Sequence, residues 1–122
     1  MKTDPRHRLG DRAEEAAAAL YEGRGFSVVD RNVRVGRLEI DLIVSRPSLL
    51  VFVEVRSRRA GGMVHPAATI RGAKAQHMRQ AAAMWLQSNG ARGRAVRMDV
   101  VAATELPDRT FELEVYENVL SG

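Results

Sequence analysis

The sequence contains no cysteine, only four prolines, and few aromatic residues: one Trp, two Tyr and three Phe. The absence of cysteine excludes a disulfide scaffold and every zinc site that uses thiolate ligands. No apolar run reaches the roughly 18 residues that a membrane-spanning helix needs, so no membrane partner is expected. The N-terminus carries basic residues without an apolar segment behind them, which predicts no signal peptide and favours a cytoplasmic location.

The length and composition are those of a single folded domain. A chain of 122 residues can bury a core without help from disulfides or metals. The 45% hydrophobic and 28% charged residues are ordinary globular values and exclude disorder as the main state. We expect a flexible N-terminal tail over residues 1–8 and one domain over residues 9–122.

Acidic residues are scarce in the middle of the chain, although the net charge is only +4. Between Leu42 and Met98 there are ten basic residues and a single acid, Glu54, whereas five acids lie between Glu105 and Glu117. A basic surface suits a nucleic-acid partner, because each neutralised phosphate releases counterions. Charge alone leaves a solvated basic face as the alternative.

Helix and strand patterns follow one another along the chain. The expected helices cover residues 9–22 and 71–88, and the expected strands cover residues 26–33, 38–44, 49–56, 95–103 and 110–119. Trp85 lies on the apolar stripe of the second helix and is expected to be a core residue. The second strand is expected to direct four apolar side chains to one face: Leu38, Ile40, Leu42 and Val44. This order predicts an α/β fold with a central mixed sheet flanked by helices.

The turn between the second and third strands decides which charged residues face each other. A pairing of Val44 with Val51 places Asp41 opposite Glu54, with Cβ atoms about 4.5–5.5 Å apart. Two carboxylates at about 5 Å repel by about 3 kcal/mol at an effective dielectric constant of about 20. A shared proton, a cation or a divalent metal must offset this repulsion. Carboxylate oxygens suit Mg²⁺ or Mn²⁺.

The same register places Glu39 opposite Arg56 and leaves two interpretations open. In the first, Glu39 and Arg56 form a salt bridge on an exposed face, while Asp41 and Glu54 are solvated. In the second, these residues form a functional site. The second is favoured because Glu54 is the single acid of a long basic window and lies in an apolar strand. The three histidines lack metal-ligand spacing to one another and are not expected to share a metal.

Two sequence blocks resemble a known family. Residues 38–43 (LEIDLI) and 51–58 (VFVEVRSR) resemble the YraN-like family of small bacterial proteins, which is similar to the PD-(D/E)XK, or restriction-endonuclease-like, nucleases. The further matches are Ala13-Glu14 for a Gly-Glu pair, Asn32-Val33-Arg34 for an RN-x-R segment, and Lys74 for a lysine near the start of a helix. The resemblance covers about residues 9–103 and implies a restriction-endonuclease-like fold.

The resemblance also implies roles for the matched residues. Asp41 and Glu54 correspond to the metal-binding pair, with the main-chain carbonyl of Val55 as a further ligand. Glu14 corresponds to an acid of the first helix that reaches the same cavity, and Glu39 to an auxiliary acid. The other implied catalytic residues are Arg56, in the position of the nuclease lysine, and Lys74, on the helix that closes the site.

This sequence departs from the family pattern at three places. Ala13 and Leu38 replace glycines, which reduces backbone freedom there. Arg56 replaces a lysine, and arginine stays protonated up to a pKa above about 12, so it cannot act as a base. Its charge can still stabilise a phosphoryl transition state.

The implied function is that of a Mg²⁺- or Mn²⁺-dependent nucleic-acid phosphodiesterase, an endonuclease that processes DNA or branched DNA. The expected nucleic-acid contacts are Arg34, Arg37, Arg58, Arg59, Arg71 and Lys74. A domain with one active centre needs two copies to cut both strands, which favours a homodimer. The alternatives are a non-catalytic nucleic-acid-binding module of the same fold and, less favoured, a protein-interaction domain that uses the acidic last strand.

Overall fold

The computed structural model describes residues 5–61 and 73–119, with side chains from residue 9 in the first segment and from residue 75 in the second. The elements in chain order are α1 (Pro5–Gly23), β1 (Ser27–Val35), β2 (Leu38–Arg46), β3 (Leu49–Arg59), α2 (Ala73–Asn89), β4 (Ala95–Glu105) and β5 (Phe111–Tyr116). This confirms the order expected from the sequence. α1 begins at Pro5 rather than Leu9, because proline's fixed φ and missing N–H suit the first turn of a helix. Part of the expected tail is therefore helical.

The five strands form one mixed sheet in the order β1-β2-β3-β4-β5. Neighbouring strands are antiparallel except β3 and β4, which are parallel and are connected through α2. A parallel pair needs such a crossover, because a tight turn can join only antiparallel strands. The predicted α/β fold with a central mixed sheet is confirmed. Neither described helix is long and apolar enough to cross a membrane.

The two helices cover opposite faces of the sheet. Val51 and Val53 of β3 pack in a cluster with α1, whereas Leu50 and Phe52 pack in a cluster with α2. This alternation follows from the two-residue period of a strand. Trp85 of α2 is 9% exposed, and its ring meets that of Phe52 edge to face at 5.5 Å. The prediction that Trp85 is a core residue is confirmed.

A buried polar cluster ties α1 to β4. The Asp99 carboxylate is fully buried and accepts hydrogen bonds from the Tyr21 hydroxyl at 2.7 Å, from the Arg97 guanidinium at 2.9 and 3.0 Å, and from the Asn118 backbone N–H at 3.0 Å. These donors allow a charge to remain in the core. Burial and the hydrogen bond to Asp99 raise the pKa of Tyr21.

The apolar side chains of β2 do not all face one helix. Leu42 and Val44 pack in the α1 cluster, but Leu38 and Ile40 pack in the α2 cluster. The expectation that these four residues share a face is therefore wrong. The strand changes face at Asp41, the residue between the two sets.

The distortion at Asp41 involves β1 as well. The pairing of the two strands includes Arg31 with Leu42 and Val33 with Ile40, but not the pair between them. On the β1 side this skipped position is Asn32, whose φ is 50°. Asparagine adopts the left-handed region more readily than most residues. The irregularity removes Asp41 from the regular alternation and turns its carboxylate toward β3.

Candidate active site

β2 and β3 separate at the end where their carboxylates lie. The predicted pairing of Val44 with Val51 is confirmed, but the ladder ends before it reaches Asp41. There the backbone N–H of Val55 donates to Asp41 Oδ2 at 2.8 Å. A side-chain oxygen thus satisfies a main-chain donor of β3 and fixes the Asp41 carboxylate beside Glu54.

Asp41 and Glu54 form a carboxylate pair. A hydrogen bond links their side chains and acts to lower the pKa of Asp41. Burial raises the pKa of Asp41, although the Val55 N–H, the Glu54 hydrogen bond and the Arg56 charge oppose that shift. The Glu54 side chain is only 12% exposed. The interpretation in which both carboxylates are solvated is therefore wrong.

Glu14 of α1 lies close enough to the pair to interact with the charge of Asp41. Burial and then the negative charge of Asp41 raise the pKa of Glu14 to about 7, while a hydrogen bond with Asn32 acts in the opposite direction. The same asparagine therefore shapes the strand at Asp41 and binds the acid that comes from α1. Glu14 changes its protonation state near neutral pH.

A cavity of about 250 Å³ opens at the carboxylate pair. It is lined by Arg37, Leu38, Glu39, Asp41, Glu54, His77 and Met78. The sheet supplies the acids and α2 supplies the opposite wall. The cavity therefore brings three predicted catalytic acids together with Arg37, one of the predicted nucleic-acid contacts. Glu14 is not one of its lining residues.

Arg56 lies next to the pair but does not contact Glu39. Its Nε is 3.8 Å from Glu54 Oε1, so the interpretation in which Glu39 and Arg56 form a salt bridge is wrong. The physical reason is that the strands separate before these two positions become opposed. Arg56 Nε is buried and has no hydrogen-bond partner among the described residues. A buried unpaired donor costs about 1–3 kcal/mol, so this atom is suited to bind water or a substrate oxygen.

Two of the predicted nucleic-acid contacts bind side chains of β4 and do not line the cavity. Arg58 Nε donates to Thr104 Oγ1 at 3.4 Å, and Arg59 Nε lies 3.5 Å from Glu105 Oε1. The Arg59 side chain remains 63% exposed. Both residues lie beyond the carboxylate pair on β3, at the rim of the same end of the sheet.

The remaining predicted contacts lie elsewhere or outside the described residues. Arg34 is exposed on β1, and Lys74 lies in the first turn of α2, where side chains are not described. Arg71 falls outside the described residues.

His77 is a cavity residue that sequence reasoning misses. It is three residues after Lys74, and this spacing, which places both on one helix face, was the available signal.

The site offers two close carboxylates rather than a complete metal cage. Within the described residues, no group of three or more His, Cys, Asp or Glu side chains could hold a metal ion. Mg²⁺, however, is commonly bound by one or two carboxylates, with waters and substrate phosphates as the other ligands. The donor set of Asp41 and Glu54 fits that mode of binding.

These features define a small α/β protein with a half-buried carboxylate pair at the point where two strands separate. The sequence model of the uncharacterised protein family UPF0102 matches residues 13–103, and the chain belongs to this family. UPF0102 is the YraN-like family, so the predicted membership is confirmed. The matched range contains every predicted catalytic residue.

Curated relatives carry the same family designation. A UPF0102 protein of Anaeromyxobacter dehalogenans is 43% identical over 101 residues, which cover 83% of this chain and 75% of that protein. A UPF0102 protein of Clavibacter michiganensis is 42% identical over 93 residues, which cover 76% and 79%. A UPF0102 protein of Desulforapulum autotrophicum is 38% identical over 113 residues, which cover 93% of both chains. The similarity extends over most of the domain.

Proposed function

We propose that this chain is a metal-dependent nucleic-acid phosphodiesterase of the restriction-endonuclease-like class, acting on DNA or branched DNA. The observation that carries the proposal is the carboxylate pair, in which Asp41 is hydrogen-bonded to Glu54 and to the Val55 N–H at an open cavity. Because burial raises the pKa of Asp41, its charged form is disfavoured in the fold. Strongly perturbed carboxylates in a cleft are typical of functional sites.

Asp41 and Glu54 would hold a Mg²⁺ or Mn²⁺ ion, with water and phosphate oxygens as the remaining ligands. When bound, such an ion offsets phosphate charge and lowers the pKa of a coordinated water. The buried Arg56 Nε supports this assignment, because it is an unpaired donor close to Glu54 among the described residues. A phosphate oxygen or a water between the two groups would satisfy it.

Different residues of the chain would stabilise charge and transfer protons. Arg56 cannot accept a proton, so its role is to stabilise negative charge on the phosphate as the transition state forms. Glu14, with a pKa of about 7, can hold or release a proton beside the site at neutral pH. Arg37, in the cavity wall, would contact the DNA backbone. Because one chain supplies one such centre, we propose that two copies act together as a homodimer on a duplex.

A second function, nucleic-acid binding without cleavage, is favoured by one feature of the site. Arg56 occupies the position of the nuclease lysine, and a permanently charged guanidinium cannot accept a proton from the attacking water. In that case the basic surface would bind the backbone, while the carboxylate pair would have no chemical role.

A cleavage assay tests the proposal. End-labelled duplex and branched DNA are incubated with millimolar Mg²⁺ or Mn²⁺ and with wild type, Asp41→Asn or Glu54→Gln protein. Glu112→Gln, which removes an exposed acid of β5, is the matched control. We expect metal-dependent nicking that falls by at least about a hundredfold in both site variants and persists in the control. DNA binding without cleavage under either metal supports the second function, and the absence of DNA binding at low salt overturns both.

A further inference from the structure

A second, larger groove lies at the other end of β2. Its volume is about 590 Å³, and it is formed by the start of β1, the β2–β3 turn, the end of α2 and the loop before β4. Three arginines line it, Arg46, Arg92 and Arg94, and none of the described residues in its lining is acidic. Arg46 follows Asp41 by five residues in the same strand, which separates the two sites by about 17 Å.

Two of the three guanidinium groups are held in place by contacts that leave donors available. Arg46 Cζ lies over the Phe26 ring, 4.3 Å from its centroid. Stacking of this kind leaves the N–H groups directed outward in the guanidinium plane. Arg94 Nε donates to the Ala91 carbonyl at 2.9 Å, which leaves its two terminal nitrogens for a ligand. The guanidinium donors of Arg46 and Arg94 are therefore oriented for a hydrogen-bond acceptor before a ligand binds.

The loop before β4 is hydrogen-bonded to the β2–β3 turn, close to Arg46. The Ala95 backbone N–H donates to the Ser48 carbonyl of the β2–β3 turn at 3.0 Å. Arg92 has a φ of 54° and Gly93 a φ of 80°, so this loop turns sharply. A left-handed conformation is uncommon for arginine. The turn and the loop together bring charges from two separate chain segments to one groove.

The groove arginines differ from other arginines of this chain in their partners. Arg12 and Arg59 bind Glu105, and Arg97 binds the buried Asp99. The ion pairs found among the described residues include none of the three groove arginines. Three like charges around one groove repel one another, and a bound anion would remove that repulsion.

We propose that this groove binds phosphate groups of the same nucleic acid that the carboxylate site would cleave, an inference that rests on the proposed function. Guanidinium groups bind phosphate oxygens with paired hydrogen bonds. A DNA duplex rises by about 3.4 Å per base pair, so 17 Å corresponds to about five base pairs. The groove thus holds the backbone about five base pairs from the phosphate at Asp41 and sets the register of cleavage.

Trp85, the single tryptophan of the chain, lines the groove and reports its occupancy. The experiment measures Trp85 fluorescence during titration with a short DNA duplex, without divalent metal, at several salt concentrations. Wild type is compared with Arg92→Gln, whose side chain is exposed, and with the control Arg109→Gln on the β4–β5 turn. Circular dichroism verifies the fold of each variant. A second titration uses inorganic pyrophosphate.

We expect DNA to quench Trp85, and Arg92→Gln to lower the slope of log affinity against log salt by about 0.9, the value of one lost phosphate contact. Arg109→Gln should keep the wild-type slope. DNA binding with equal slopes in all three proteins overturns the groove assignment and leaves the proposed function standing. If wild type binds no labelled duplex at low salt in an anisotropy titration, with or without Mg²⁺, the proposed function fails. In that case, quenching by pyrophosphate that Arg92→Gln abolishes supports a site for free phosphates, and no quenching overturns the groove assignment too.

Discussion

Replacing Asp41 with asparagine should stabilise the metal-free protein. The charged form of Asp41 is disfavoured in the fold by burial and by Glu39, and Asp41→Asn removes the charge while keeping an oxygen for the Val55 N–H. Repulsion from one nearby carboxylate charge, such as that of Glu39, is worth roughly 2–3 kcal/mol at about 5–8 Å and an effective dielectric constant of about 20. A neutral oxygen accepts a hydrogen bond that is weaker by about 1 kcal/mol. We therefore expect a net gain of about 1–2 kcal/mol at pH 8.

The stability that Asp41→Asn gains over wild type should increase with pH. The folded-state pKa of Asp41 is raised, so the pH range between the unfolded-state and folded-state pKa values is one in which Asp41 is protonated in the folded protein and ionised in the unfolded chain. Wild-type stability falls as pH rises through that range. Asp41→Asn lacks this loss, so its advantage is greatest at pH 8 and disappears near pH 4. Glu54→Gln should gain less, because it leaves Arg56 without its ion-pair partner at 3.8 Å.

Urea unfolding with EDTA present, followed by Trp85 fluorescence, measures this difference at pH 4 and pH 8. A gain of 1–2 kcal/mol corresponds to roughly 4–8 °C in Tm for a domain of this size. Glu112→Gln, at an exposed position of β5, should stay within about 0.5 kcal/mol of wild type. The reasoning is refuted if Asp41→Asn is no more stable than wild type at pH 8, or if its gain is the same at both pH values.

Three further predictions concern other residues. Tyr21→Phe removes one hydrogen-bond donor to the buried Asp99 and should lower the free energy of unfolding in urea by about 1.5–3 kcal/mol. A loss below about 0.5 kcal/mol contradicts the assigned hydrogen bond. Wild-type stability should fall between pH 4.5 and about 7, because the Glu14 carboxyl is protonated in the folded state and ionised in the unfolded chain. Glu14→Gln should flatten that decline, and an unchanged slope in a thermal scan contradicts the raised pKa. Arg56→Gln should lower DNA cleavage by about 10²–10³-fold and Arg56→Lys by less, since lysine keeps the charge; equal rates in both variants exclude a charge role.

The sheet and the position of the acidic site could be predicted because both follow from local patterns. Alternating apolar residues and the turn after β2 fix the pairing of Val44 with Val51, and this register brings Asp41 near Glu54. The order of the elements also predicts a mixed sheet, and α2 connects its parallel pair, β3 and β4. These features need no knowledge of distant contacts.

The details of the site could not be predicted because they depend on contacts between separate segments. β2 changes face at Asp41, and the position of β1 beside it is Asn32, which has a left-handed backbone conformation. The Val55 N–H becomes available to Asp41 because the strands separate there, and the same separation removes the expected contact between Glu39 and Arg56. A period-two pattern assumes a regular strand and carries no information on such an irregularity.

The most direct test of the proposed site is Mn²⁺ binding in the presence of DNA, measured by electron paramagnetic resonance. DNA is included because substrate phosphates are expected to complete the coordination. We expect wild type and Glu112→Gln to take up Mn²⁺ with DNA bound, and Asp41→Asn and Glu54→Gln to lose this uptake. Uptake that is equal in all four proteins, or absent from wild type, would contradict a metal site at the carboxylate pair.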